Sequence, residues 1–437
     1  MANGWSNRTV QEILFPGTIT RLGPALPRHQ PQPGGKGLNQ MQISFLTPRL
    51  PPAICGMADH ARFLAEAMQE EGVQVGFIHQ RGSESVSPLL DAPASHWDGS
   101  ARDLTRCVLQ QQPDWLWIQL SGYGYSRWGA PFTLGRAVAM LRRVLPSLGI
   151  VVCVHETHCQ PHQLGRKGWL LSPWQRYTVA TVVRQAHLLF TSIGGHVEQI
   201  VRDYGVSRDR VVRLPIGSNV PAGHLTAAER RRIRKDQGWG SSEVIAVTFG
   251  SYPSQLRALQ LCGSQLERGL ALRRLDRVVC LGGDESKVPR EFEYWARALG
   301  SVGAFEVLGY QPAKAVGEIL ECCNFAFSRF PRRLLGKSGT FSAYAQAGLV
   351  VLAADEDPRD ALSEEEVPVL SMRSWDWGQT GSPAALALGQ RAREHARLHL
   401  AWPVIAQRAL AEMHASRPMT AREPSRRQVD KRHPGRV

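Results

Sequence analysis

The sequence predicts an α/β chain built from two Rossmann-like, doubly wound parallel-sheet domains. Three observations carry that prediction. Short, unbroken apolar strands rich in branched residues alternate with amphipathic helices, the pattern of parallel strands buried on both faces. The alternation runs to about Ser218, is interrupted by the polar, arginine-rich segment Pro221–Glu243, and restarts at Val244. The 437 residues, 43% of them apolar, suffice for two domains with cores of their own.

The first half opens at Met41 with an apolar strand (Gln42–Thr47), a Pro/Gly loop (Pro48–Gly56), an amphipathic helix (Met57–Glu71) and a second strand (Val73–His79). Strand Trp115–Ser121 precedes a helix near Leu134–Leu145, and strand Ile150–Glu156 precedes another near Trp174–Gln185. "HLLFTS" and "VVRLPIGS" close the half. The basic segment suits a connecting helix with a solvated face. The second half supplies strands at Val244–Gly250, Asp276–Gly283, Gly303–Tyr310, Asn324–Phe330, Leu349–Asp355 and Val367–Met372, then a long helical pattern from Pro383 to Met413. The expected division is a disordered extension (1–40), first domain (41–218), linker (219–243), second domain (244–382), C-terminal helices (383–413) and a disordered basic tail (414–437). Met41 also suits a start codon, residues 1–40 then being an upstream stretch.

The net charge of +14 sits largely at the two ends, which are poor in apolar periodicity and supply +3 and +5. Such ends solubilise a chain or attract it weakly to a membrane; no motif that reads bases accompanies them, so specific nucleic-acid binding is not expected. No run of 18 apolar residues and no secretory leader pattern is present, and the eight cysteines form no CxxC pair. These features point to a reduced, cytoplasmic protein, at most peripheral at the inner face of a membrane.

Ligands of doubly wound sheets bind beyond the carboxyl ends of the strands, so four loops concentrate the chemistry. In "TPRLPPAICGMADH", Cys55 and Gly56 precede a helix whose N-terminus favours negative charge; a plain proline-rich connector fits equally. "VHETHCQPH" gathers His155, Glu156, His158, Cys159 and His162. Its spacing fails the H-E-x-x-H zinc pattern, because Cys159 stands where the second histidine belongs, and no metal is expected. His155 and Glu156 suit hydroxyl contacts, acid–base work or a purely structural role. In "FGSYPSQLRAL", Gly250 and Ser251 suit close backbone approach, with Arg257 either a phosphate ligand or a surface arginine.

The fourth loop contains "GKSGT". It resembles a phosphate-binding P-loop, G-x-x-x-x-G-K-[ST], but Pro331 occupies the first glycine position and cannot take a positive φ. Ser338, Gly339 and Thr340 instead open a helix that ends at Gly348. Beside Lys337 they form an anion site, or else a helix cap with an incidental lysine.

In order of elements, and in "MQISFLTPRLPPAICGMADHARFLAEAM", "RVVRLPIGSNV" and "KSGTFSAYAQAGLVVLAAD", residues 41–413 resemble the GT-B glycosyltransferases of the family-4, glycogen-synthase-like type. The resemblance implies two domains facing a cleft, C-terminal helices packing back toward the first domain, and a retaining sugar transfer; cations and helix N-termini can stabilise a leaving diphosphate without a metal, so no metal or other cofactor is expected. It also implies a nucleotide-sugar donor and a glycan or other hydroxyl acceptor. Carried over position by position, Gly250 and Ser251 match the donor loop, with Arg257 nearest to its basic residue. Lys337, Ser338, Gly339 and Thr340 match the sugar–diphosphate motif, Gly56 the first loop, and His155 a cleft histidine. The family often has two glutamates separated by seven residues near this motif; here Leu335 and Ala343 occupy those positions. A weakened nucleotide-binding or scaffold protein on the same fold is the competing expectation.

Overall fold

The computed structural model describes residues 41–50, 55–80, 92–159, 166–284, 287–299, 304–354, 367–372 and 375–416. The expected N-terminal extension, the tail beyond 416, and His162 lie outside the described residues.

The first half runs β1 (Gln42–Thr47), α1 (Gly56–Glu70), β2 (Gln74–Gln80), β3 (Ala94–Trp97), α2 (Ala101–Gln111), β4 (Trp115–Leu120), α3 (Gly122–Tyr125), α4 (Phe132–Val144), β5 (Gly149–Val154), α5 (Arg166–Val183), β6 (Leu188–Thr191), α6 (Gly194–Tyr204) and β7 (Val211–Arg213). Its strands pair in parallel in the order β3-β2-β1-β4-β5-β6-β7. β4 and β5 are buried along their whole length. Their residues alternate between two cores, as period-2 strands must. Leu116, Ile118 and Leu120 pack under α2, α4 and α5, while Trp115, Trp117, Val151 and Cys153 face α1. Trp117 lies against Phe45 and Phe190, with ring centroids 5.6 and 5.0 Å away.

Helix α7 (Ala227–Asp236) links the halves. Thr226 and Glu229 form a capping box at its start. It is less solvated than its arginines suggest: buried Arg234 donates to the carbonyls of Cys322, Ser241 and Glu243. The second half follows with β8 (Ile245–Phe249), α8 (Tyr252–Ala271), β9 (Arg277–Leu281), α9 (Glu291–Ala298), β10 (Phe305–Gly309), α10 (Ala313–Glu321), β11 (Phe325–Ser328), α11 (Gly339–Ala347), β12 (Val350–Ala353) and β13 (Leu370–Ser371). These strands are also parallel, in the order β10-β9-β8-β11-β12-β13.

The helical pattern expected from Pro383 to Met413 is divided. α12 (Pro383–His395) passes through a π-turn (Ala396–Leu400), and α13 (Trp402–Ala415) starts afresh. Pro403 is the cause, since an interior proline removes a hydrogen bond and clashes one turn back, whereas the first turn accepts it. The break lets α13 return to the first half, where Ile405, Ala409 and Met413 join the core around Leu64 and Met68 of α1.

Strand order reverses between β1 and β4 in one sheet and between β8 and β11 in the other. The segments that follow these strands, Cys55–Gly56, Ser121, Gly250 and Arg329, therefore stand at the two switch points, where open α/β sheets bind ligands.

Candidate active site

The loops at the two switch points face one cleft of about 490 Å³, within the usual size of a small-molecule site. Cys55, Gly56, His155 and Glu156 line it from the first half; Gly250, Lys337, Gly339 and Thr340 line it from the second. Ser251, Arg257 and Ser338, singled out in the sequence, do not line it. Ser251 is the N-cap residue of α8, and Arg257 lies on that helix's exposed side. Ser338 is buried and caps α11, its Oγ accepting from the Phe341 N–H at 3.1 Å.

The segment Arg332–Lys337 is a 3-10 turn, not a phosphate loop. Gly336 answers a packing need: a Cβ there would meet the Ser192 carbonyl oxygen of the first half at 2.4 Å. The Gly336 carbonyl accepts from the Ile216 N–H at 3.0 Å, and Ser342 Oγ donates to the Ile216 carbonyl at 2.6 Å. These contacts tie the two halves together immediately behind Lys337. The N–H groups of Gly339 and Thr340 belong to the first turn of α11, which leaves them without helix partners. Gly250 faces the same point with φ +126, a backbone state that favours glycine.

Charge on this wall is concentrated. Burial and the Arg329 guanidinium pull the Lys337 ammonium below its ordinary pKa of 10.5, and only Glu156, from the opposite wall, opposes that. Burial likewise lowers Arg329. Both cations approach the ring of Phe330, Arg329 Cζ at 4.0 Å and Lys337 Nζ at 6.0 Å from its centre. A half-buried ammonium, with a second and more exposed cation nearby, thus sits at the start of a helix, which is the electrostatic complement of an anion.

The first-half wall is held by one amide. Gln119 Oε1 accepts from His155 Nε2 at 2.5 Å, and Gln119 Nε2 donates to His60 Nδ1 at 3.2 Å. Burial keeps His155 down at about 4 and His60 well below 6.5, so both imidazoles are neutral near pH 7. His155 then carries its proton on Nε2 and has a lone pair free on Nδ1 to accept a hydroxyl. Ser121 Oγ donates to Glu156 Oε2 at 2.9 Å, leaving the other carboxylate oxygen for a ligand.

His60, Cys153 and His155 bring possible metal-ligand atoms within 4.8 Å of one another, a grouping that spacing along the chain could not show. Burial pushes the Cys153 thiol up to about 12. An amide bridging two neutral imidazoles must donate to one and accept from the other. Whichever way it lies, one histidine keeps its proton on the outer nitrogen while that bridge is in place. His158 turns away to Tyr204 Oη, 2.8 Å distant.

Several residues of the cleft were not singled out in the sequence. Asp59 and His60 come from the first turns of α1, Asn219 from the linker, and Trp402 from the restart of α13. Trp402 Nε1 donates to the Ser218 carbonyl at 2.6 Å, and its ring stacks on Phe63 and meets the edge of His60. Arg329, directly after β11, stands near Lys337 but does not line the cleft.

No protein-family model matches the chain, and no curated protein matches it. Solved structures do. A glycosyltransferase from Rickettsia africae ESF-5 aligns with a TM-score of 0.63 and 11% identity, over 87% of this chain and 100% of its own. HepE from Anabaena in complex with UDP aligns with 0.58 and 12% identity, over 86% and 100%. Two parallel sheets with one cleft, matched over the full length of these structures, decide the architecture. The chain has the GT-B fold. The catalytic domain of starch synthase IV from Arabidopsis thaliana, bound to ADP and acarbose, shares it with a TM-score of 0.56 and 12% identity, over 87% and 99%. At such identities the likeness carries the fold alone, and any activity has to be argued from the site.

Proposed function

We propose that the chain is a glycosyltransferase that moves a sugar, most simply a hexose, from a nucleoside-diphosphate sugar to an acceptor hydroxyl. The observation that carries this reading is the half-buried Lys337 ammonium in the cleft wall, beside the first turn of α11 and with the Arg329 guanidinium nearby. Such a site stabilises a leaving diphosphate without a metal, because cations and fixed N–H dipoles meet the charge as it develops. The bond from the anomeric carbon to the diphosphate oxygen breaks, its electron pair leaving with the phosphate. The acceptor oxygen bonds to the anomeric carbon and releases its proton. His155 Nδ1 and Glu156 accept hydroxyls of the sugar or acceptor at the opposite wall. Arg257, exposed on α8, has no part in this assignment. The resemblance to family-4 enzymes supports retention of configuration and glycan synthesis as the finer form of the proposal, and the free cysteines support a cytoplasmic setting.

A nucleotide-binding protein without turnover is the second reading. It is favoured by Leu335 and Ala343, which occupy the positions of the family's glutamates and are buried in the second-half core. Thermal shift against a panel of nucleoside-diphosphate sugars, followed by assay for acceptor-dependent release of nucleoside diphosphate, separates the two. Stabilisation with release supports transfer. Stabilisation without release, across a broad set of acceptors, supports the binding protein, and no stabilisation by any donor contradicts both.

A further inference from the structure

We propose that the face of the first half formed by α3, α4 and α5 docks on an anionic lipid surface. Large apolar side chains are left in water there at unusual density. Trp169 and Leu170 are each 70% exposed, Tyr177 60%, Trp128 58%, Trp174 54% and Phe132 44%. Three of them form one cluster, the Phe132 ring lying 5.8 Å from that of Trp174 and 6.4 Å from that of Tyr177 and so joining α4 to α5, and Leu170 lies one helical turn before Trp174 on α5. A contiguous apolar patch of this kind marks an interaction site.

Charge chooses the partner. From Gly122 to Val183 the sequence holds seven Lys/Arg and one acidic residue, Glu156, which belongs to the cleft. α4 and α5 contain no Asp or Glu at all. Exposed Arg127, Arg136, Arg143 and Lys167 lie on the same elements as the aromatics, and the Arg127 guanidinium sits 5.4 Å from the Trp128 ring centre. Tryptophan and tyrosine favour the level of lipid headgroups, and arginine and lysine the phosphates beside them. A face that is aromatic, basic and free of acid is therefore complementary to an anionic bilayer.

The patch is also fastened to the cleft. Buried Gln175 of α5 donates to Tyr123 Oη and to the Trp128 carbonyl, both at 2.9 Å, and its Oε1 accepts from the Cys159 N–H at 2.9 Å. One amide thus joins the exposed face to the loop that carries His155 and Glu156. The surface is separate from the cleft wall and its chemistry, so the docking proposal stands or falls independently of sugar transfer.

The test is flotation of the full chain with vesicles of phosphatidylglycerol and phosphatidylcholine in equal parts, against pure phosphatidylcholine. Wild type should float with the anionic vesicles only, and less so as salt is raised. The double variant Trp169→Ala/Leu170→Ala should weaken binding on the order of tenfold or more, since both side chains would lose their burial in lipid. Arg136→Glu/Lys167→Glu should do the same through charge. Leu386→Ala, equally exposed on α12 of the other half, should change nothing. Melting temperatures matching wild type show that the exposed variants fold. Three results would overturn the proposal: no flotation of wild type, flotation unaffected by the Trp169/Leu170 change (the basic tail then being the anchor), or a dimer in solution that this change dissociates.

Discussion

Glu156 and Lys337 face each other across the cleft, one carboxylate from the loop after β5 and one ammonium from the turn before α11. Glu156 raises the Lys337 pKa, but burial and Arg329 lower it by more, so the lysine stays poised for a further negative partner.

That balance predicts a pH dependence of binding. The Lys337 pKa is depressed from 10.5, so its charge is lost at lower pH than that of an ordinary lysine. Affinity for a nucleoside diphosphate, measured by calorimetry from neutral to alkaline pH, should weaken before an ordinary lysine would titrate. Lys337→Arg should abolish that weakening, because guanidinium remains charged throughout. An affinity that is flat with pH in wild type would remove Lys337 from the site.

Ser338 and Arg257 separate cap from contact. Ser338→Ala removes the N-cap of α11 and should cost about 1 kcal/mol of stability, with only a small change in nucleotide affinity. Arg257→Ala should leave both melting and affinity as in wild type. A large loss of nucleotide binding in Arg257→Ala would mean that α8 contributes to the site.

The neutral imidazoles predict acid sensitivity. Burial, joined by nearby cations or a second imidazole, holds His155, His187, His196 and His395 at about 4, against an ordinary 6.5. Between those values the unfolded chain binds protons that the folded chain refuses. Stability is therefore intact above 6.5 and is lost as pH falls toward 4. Melting temperature should drop steadily over that window; a flat profile would contradict the buried neutral state.

Trp402 should act as the strut between the C-terminal helix and the linker. Trp402→Phe keeps an aromatic ring against Phe63 but strands the Ser218 carbonyl, at a cost of about 1–3 kcal/mol. The melting temperature reports this directly. An unchanged value would show that the indole bond to Ser218 is replaced by water.

Much of this was legible along the chain because local chemistry marked it. Strands with continuous branched apolar residues announced both sheets, and Gly250, His155, Glu156 and the helix at Gly339 each follow a strand, where ligands of such sheets lie. Of the two alternatives for Arg257, the helical phase favours the surface one. α8 buries Tyr252, Gln255, Ala258, Leu259 and Cys262, and position 257 falls on the opposite face. The short polar strand β3 has no apolar run to announce it, although Ser100 and Asp103 mark the start of α2. Asp59, His60 and Asn219 lie within quoted segments without having been singled out, whereas Trp402 reaches the cleft only through packing between distant segments, which no local pattern encodes. The restart at Pro403, which brings Trp402 to the cleft, was not read from the sequence.

The most direct test of the central claim is acceptor-dependent release of nucleoside diphosphate by wild type and Lys337→Ala, using the donor that gives the largest thermal shift. Losing one hydrogen-bonded charge in a desolvated site costs on the order of 2–5 kcal/mol. Turnover in Lys337→Ala should therefore fall by more than about 30-fold, with the melting temperature of the free protein little changed. Release of nucleoside diphosphate that Lys337→Ala sustains at the wild-type rate would contradict the assignment of this cleft wall as the diphosphate site.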